Sequence, residues 1–192
     1  GGGIQIKTTA VIYNQNKAET YEYKPAVKLM DGKTALRANT DYEMKYLCNT
    51  QAEYLQYLQA YEEAAQKAAS GENNPDSEKK LQELMPRAVI TAKADSNYVA
   101  DGEIIVPLPI YQTKLVKNRV QIDVVEEAIY TGGQVTPAVT VHDTASGKQL
   151  SEGQDYTVSY GENLKSGKDR GSVTVTGTAP EYGGSLTVKF DI

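Results

Sequence analysis

The feature that most constrains this chain is that it repeats itself. Pro25-Ala26-Val27 is echoed by Pro137-Ala138-Val139, and Asp31 and Asp143 fall at the same distance after their prolines. Gly32-Lys33 matches Gly147-Lys148 once a short gap is allowed. Leu36 precedes Asp41-Tyr42 by the interval that separates Leu150 from Asp155-Tyr156. Tyr46 and Asn49 then correspond to Tyr160 and Asn163. The match breaks and resumes, with Val89 and Tyr98 set against Val173 and Tyr182. Two copies of one pattern must solve one packing problem twice, so each copy needs a core of its own.

The second copy shows what that core is made of. Val139 and Val141 alternate with Thr140 and His142, and Tyr156, Val158 and Tyr160 alternate with Thr157 and Ser159. Val173 and Val175 sit among threonines, and Leu186, Val188, Phe190 and Ile192 are spaced by two. A period of two with one apolar face predicts antiparallel strands over a shared interior. The segments are separated by Gly, Asp, Asn and Pro clusters, which predicts a β-sandwich. The first copy keeps the alternation at Val27, Leu29, Tyr42, Met44 and Tyr46. The expected fold class is all-β, with sandwiches at about 4–115 and 117–192 and a boundary near Lys114 to Arg119.

Between the broken halves of the first copy lies different material. The second copy has a short turn from Leu164 to Gly171, whereas the first has a long stretch rich in Ala, Gln, Glu and Leu, all good helix formers. Thr50 with Glu53 three residues on has the form of a capping box. Gly71 predicts a stop, Pro75 a second start, and Pro86 an end after Met85. The expectation is an α-helical hairpin insertion at about 50–86, with helices near 50–70 and 75–85, standing out from one end of the first sandwich. Tyr54, Tyr57, Leu58, Tyr61, Ala65 and Ala68 form one helical stripe, with Gln56, Glu63 and Lys67 opposite. Leu81, Leu84 and Met85 are spaced to cover part of it. Exposed tyrosines suit a sugar or protein partner, so Tyr54, Tyr57 and Tyr61 are the candidate binding residues.

The run from Ile129 to Ile192, with IYTGGQVTPAVTVHD, GKQLSEGQDYTVSYGEN and GSVTVTGTAPEYGGSLTVKFDI, resembles the bacterial Ig-like repeats of large cell-surface proteins of Firmicutes, notably Clostridia. The resemblance covers Val120 to Ile192. The first copy departs from it, with Asn39 near the place of Gly153 and the helical insertion. The resemblance implies two tandem Ig-like domains of an extracellular, wall-attached or secreted protein, acting as spacers or adhesion modules. It implies no catalytic residues. The alternative it leaves open is a carbohydrate-binding accessory module of a larger secreted enzyme.

Other chemistry finds little to work with. The net charge of -5 and the lack of a basic stripe argue against a nucleic-acid partner. Apolar runs such as Ile104-Ile105-Val106 are too short to span a membrane. The opening triplet Gly1-Gly2-Gly3 reads as a linker or expression scar. Cys48 stands alone, so no internal disulfide forms. One histidine, His142, is expected on a solvent face, which leaves a Ser-His or Cys-His site without a base and a zinc site without ligands. Cys48 and Gln51 have the spacing of an internal thioester, but a small buried cysteine is the plainer reading. A Lys-Asn isopeptide bond is disfavoured because Lys28 and Lys189 point outward on their strands. Asp95, Asn97, Asp101 and Glu103 miss the EF-hand spacing and suit turns. The chain is therefore expected to be a monomeric non-enzyme with no cofactor and no metal, its partner a protein or glycan on a host or cell surface.

Overall fold

The computed structural model describes residues 3–72, 74–98, 102–125 and 127–192. The chain is β-rich, with two helices among the described residues, and it divides into Gly1–Ile110 and Tyr111–Ile192. The division falls slightly before the boundary read from the sequence. The reason is Leu115: it is fully buried in the second unit's core, and its N–H donates to the Gly183 carbonyl at 2.8 Å.

The first unit runs β1 (Gln5–Thr8), β2 (Val11–Ile12), β3 (Val27–Asp31), β4 (Thr34–Ala35), β5 (Tyr42–Leu47), α1 (Gln51–Ala69), α2 (Pro75–Leu84), β6 (Arg87–Ala92) and β7 (Ile104–Pro107), ending in β8 (Ile110–Tyr111) at the division. One sheet has the order β1-β3-β4 and another β5-β6-β7. The second unit runs β9 (Thr113–Lys114), β10 (Val120–Val124), β11 (Val139–Asp143), β12 (Tyr156–Tyr160), β13 (Gly171–Gly177), β14 (Tyr182–Gly183) and β15 (Ser185–Phe190). There β10 pairs with β11, and β12-β13-β15 form a second sheet. The pairings β1-β3 and β5-β6-β7 thus recur as β10-β11 and β12-β13-β15, all antiparallel.

Register corrects one detail of the repeat. Tyr46 lies opposite Ala88 in the first unit, and Tyr160 lies opposite Val173 in the second. Ala88 and Ile90, not Val89, therefore stand where Val173 and Val175 stand. All four are buried core residues. A slip of one residue exchanges the faces of a strand, and Val89 belongs to the face away from that core. The repeat also reaches further back than the sequence comparison found. Ile4-Gln5-Ile6 corresponds to Val120-Gln121-Ile122, since Ile6 faces Leu29 as Ile122 faces Val141.

Polar bonds repeat along with the strands. The Tyr46 hydroxyl donates to the Pro25 carbonyl at 2.8 Å, and the Tyr160 hydroxyl to the Pro137 carbonyl at 2.6 Å. Buried Asn49 donates to the Tyr23 carbonyl at 2.9 Å, and buried Asn163 to the Val135 carbonyl at 2.8 Å. Asp41 and Asp155 each accept from a main-chain N–H four residues earlier, of Arg37 and Ser151. Gly153 takes a φ of 88° to turn the chain into β12, and Asn39 takes 66° before β5, a conformation asparagine tolerates better than most residues. The tyrosine bonds tie a strand to a loop, the asparagine bonds tie one connecting segment to another and the aspartate bonds close a turn; a buried polar group left without such a bond costs about 1–3 kcal/mol.

Candidate functional site

The insertion forms two helices, and its local signals act as their chemistry requires. Thr50 caps α1: its Oγ1 accepts from the Glu53 N–H at 3.2 Å, while Glu53 accepts from the Thr50 N–H at 3.2 Å. Gly71, at a φ of 80°, ends the helix and donates to the Ala68 carbonyl. Asn74 caps α2, with Pro75 at its first turn. Arg87 closes the far end, donating to the carbonyls of Glu83 and Met85 at 3.2 and 3.0 Å.

The first half of α1 packs into the first unit, and this changes the candidate site. Tyr54 is 1% exposed and packs in the first unit's core with Tyr23, Leu29, Ile90 and Ile110. Its hydroxyl donates to the Ile110 carbonyl at 3.2 Å. Burial, reinforced by Tyr57, Tyr23 and Tyr13, pushes its phenol well above the ordinary range. Tyr54 is therefore a core residue and cannot meet a partner. Leu58 is buried beside it. Tyr57 and Tyr61 are half-buried, with ring centroids 6.2 Å apart, and of the three candidate tyrosines only these reach solvent. The stripe of α1 turns to the domain only in its first half, at Tyr54 and Leu58; Ala65 and Ala68 further along are exposed, and α2 buries no residue completely.

Around Tyr54 lies an aromatic group that the stripe did not disclose. Tyr13 is 5.3 Å and Tyr23 5.7 Å from it, centroid to centroid. Tyr21 stands edge-on to Tyr23 at 5.0 Å, is 41% exposed, and carries the Lys17 ammonium 4.6 Å above its ring. Such a ring offers an apolar face and a phenol to a ligand. Gln51 is buried and fully engaged: it accepts from the Tyr23 hydroxyl at 2.5 Å and donates to the Asn14 carbonyl at 3.1 Å. Cys48 instead meets the Glu83 carbonyl and Arg87, each at 3.6 Å. The two residues of the thioester spacing are directed to different partners.

In the second unit the densest polar cluster centres on Asp143. Arg119 grips its carboxylate with two nitrogens at 2.9 and 3.1 Å, the Tyr182 hydroxyl donates at 2.9 Å, and the N–H groups of Ala145 and Ser146 add two more bonds. Burial alone would raise its pKa. The Arg119 guanidinium, with the Ser146, Tyr182 and Ala145 donors, outweighs burial and holds the carboxyl well below the usual range. These five bonds fasten the end of β11 to its neighbouring loops. His142 is half-buried beside Gln121 and Gln149, rather than fully on a solvent face. In the first unit burial, followed by the nearby carboxylates of Asp31 and Asp41, raises the Tyr98 phenol.

Among the described residues no three His, Cys, Asp or Glu side chains are placed to hold a metal ion. Asp101, one of the four residues weighed for calcium, lies outside the described residues. Lys28 and Lys189 are exposed. Among the described residues no helix is long and apolar enough to cross a membrane. No family model, curated protein or solved structure matches this chain.

Proposed function

We propose that the chain is a pair of tandem Ig-like β-sandwich modules from a bacterial cell-surface or secreted protein, acting as a spacer or adhesion module without catalysis. The observation that carries this reading is the duplicated framework. The same strand pairings and the same Tyr-to-Pro, Asn-to-carbonyl and Asp-to-N–H bonds occur in both units. Buried polar groups that serve both copies alike serve structure, and repetition of a self-contained unit is how a chain gains reach. The resemblance of residues 120–192 to surface-protein repeats supplies the extracellular location. Protease shaving of intact cells carrying the parent protein tests it: release of this segment is expected, and full protection until lysis would overturn it.

A second reading, a carbohydrate-binding accessory module, is favoured by the exposed Tyr21 with its Lys17 and by half-buried Tyr57 and Tyr61. A glycan array separates the two readings. No reproducible hit is expected of a spacer. Binding to one defined sugar class that is lost in Tyr21→Ala or Tyr61→Ala would replace the spacer reading with the second.

A further inference from the structure

The second unit holds an apolar cleft that its framework bonds do not use. β10 ends one sheet and β15 ends the other, and among the described residues each has one unpaired edge. A cleft of about 390 Å³ reaches from one strand to the other, lined by Val120 and Ile122 of β10, Leu186 and Val188 of β15, and Lys117 and Lys189. The opening belongs to the topology and not to where the chain stops: β1 and β7 are edge strands in the first unit, and the whole second unit follows β7. Val120 is buried, and Ile122, Leu186 and Val188 are half-buried. Lys117 and Lys189 are exposed, and among the described residues neither has an ion-pair partner. Lys189 is not part of the repeated framework either. It stands opposite Ser172, where the first unit sets Pro107 opposite Arg87.

We propose that this cleft binds a free medium-chain fatty acid, its alkyl chain between β10 and β15 and its carboxylate at Lys117 and Lys189. The volume lies near the lower limit of small-molecule sites, roughly 300–1,000 Å³, which is room for a single alkyl chain. The lining has no aromatic ring for a sugar to stack on and no carboxylate for a cation. Its four aliphatic side chains favour an alkyl chain, and the two ammonium groups select an anionic head over a neutral one. This ligand goes beyond the module reading and stands or falls apart from it, because the bonds repeated in both units do not touch the cleft.

The test is methyl-resolved NMR of the full chain titrated with sodium octanoate and sodium decanoate, each below its micelle concentration. Saturable shifts are expected at the methyls of Val120, Ile122, Leu186 and Val188, with a Kd for decanoate of about 1 mM or tighter. Each methylene added from octanoate to decanoate should tighten binding by about two- to fourfold. Lys117→Gln combined with Lys189→Gln should weaken both acids about fivefold and leave octanol unchanged. Both lysines are exposed, so the variant's unliganded methyl spectrum should match the parent's and show it folded. The ligand is overturned by an absence of saturable shifts at these methyls, by affinity that does not grow with chain length, or by acids that bind the double variant as well as the parent. The same shifts with phosphatidylglycerol vesicles in place of a free acid would make the cleft a membrane contact and overturn it too.

Discussion

Replacing Asn163 by alanine tests whether the repeated polar bonds hold the fold. The side chain is 4% exposed and makes three bonds. It donates to the carbonyls of Val135 and Ser172 at 2.8 and 3.1 Å, and it accepts from the Ser172 N–H at 2.8 Å. Ser172 O retains another donor, the Gly161 N–H at 3.0 Å. The alanine variant therefore strands two groups, the Ser172 N–H and the Val135 carbonyl. At the lower part of the range for a buried unsatisfied group they cost about 2–3 kcal/mol together. The backbone adds to this, because Asn163 has a φ of 49°, and a residue with a Cβ but no local hydrogen bond loses about 1–2 kcal/mol there. The expected cost is about 3–5 kcal/mol. Asn49 is the internal control. It is as deeply buried, its one side-chain bond is to the Tyr23 carbonyl, and its φ is not positive. Asn49→Ala should cost about 1–3 kcal/mol. Tyrosines lie in both units, so bulk fluorescence in denaturant would blend the two. Hydrogen exchange at the Val173 and Val175 amides for one unit, and at Ala88 and Ile90 for the other, reports each separately. If Asn163→Ala costs under about 1 kcal/mol, or less than Asn49→Ala, the bonds are incidental and the reasoning fails.

Tyr156 is 3% exposed, and Tyr156→Ala should cost the second unit about 3–5 kcal/mol in chemical denaturation; a loss far smaller would mean that the ring is dispensable. Tyr54→Ala should cost the first unit a similar amount, and removing the whole of 51–85 should leave that unit unable to fold cooperatively; protected Ala88 and Ile90 amides in the deleted chain would contradict the role given to α1. Shortening α2 within residues 76–83 should be tolerated, with circular dichroism losing helix while the β signal persists. Asp143 has a depressed folded pKa, so its stabilisation is complete above the unfolded carboxylate value of about 3.9 and is lost as pH falls through the folded value. The second unit should thus weaken on acidification below about pH 4, and Asp143→Asn should be less stable at neutral pH with a shallower acid slope; an unchanged slope would remove Asp143 as the cause.

The strands were legible because β13 and β15 alternate cleanly, with Val173 and Val175 inward and Thr174 and Thr176 turned to other partners. The helix signals were legible for the same reason: the Thr50 box, Gly71 and Pro75 act through neighbours in sequence. The depth of burial was not legible. The stripe of Tyr54, Tyr57 and Tyr61 tells which side of α1 is apolar, but periodicity cannot tell whether that side meets a second helix, a ligand or the domain. Tyr54 bonds Ile110, far along the chain, and no local pattern encodes such a contact. Asp143 escaped notice for a related reason. An aspartate after a strand reads as turn chemistry, and only the fold brings Arg119 and Tyr182 onto it. Tyr21 and Lys17 lie in a stretch without period, so their juxtaposition had no signature. The slip at Val89 arose because Ala88, Val89 and Ile90 are all buried, so hydrophobicity alone could not choose the register.

The helical insertion also sets an order of events. In the second unit the chain returns from β12 to β13 by a short loop, whereas from β5 to β6 it must travel the length of α1 and α2. The longer connection is roughly fourfold, two doublings, and so adds about 1.2 kcal/mol of closure entropy to the central pairing of the first unit. That entropy is lost before the pairing is made, unless α1 forms early and shortens the gap. The second unit should therefore reach its native pairing first during refolding, while the first waits on a helix whose burial against Ile110 joins the two ends of its sequence. Two copies of one strand pattern that close on different clocks have less occasion to exchange strands with each other, a known hazard of tandem repeats.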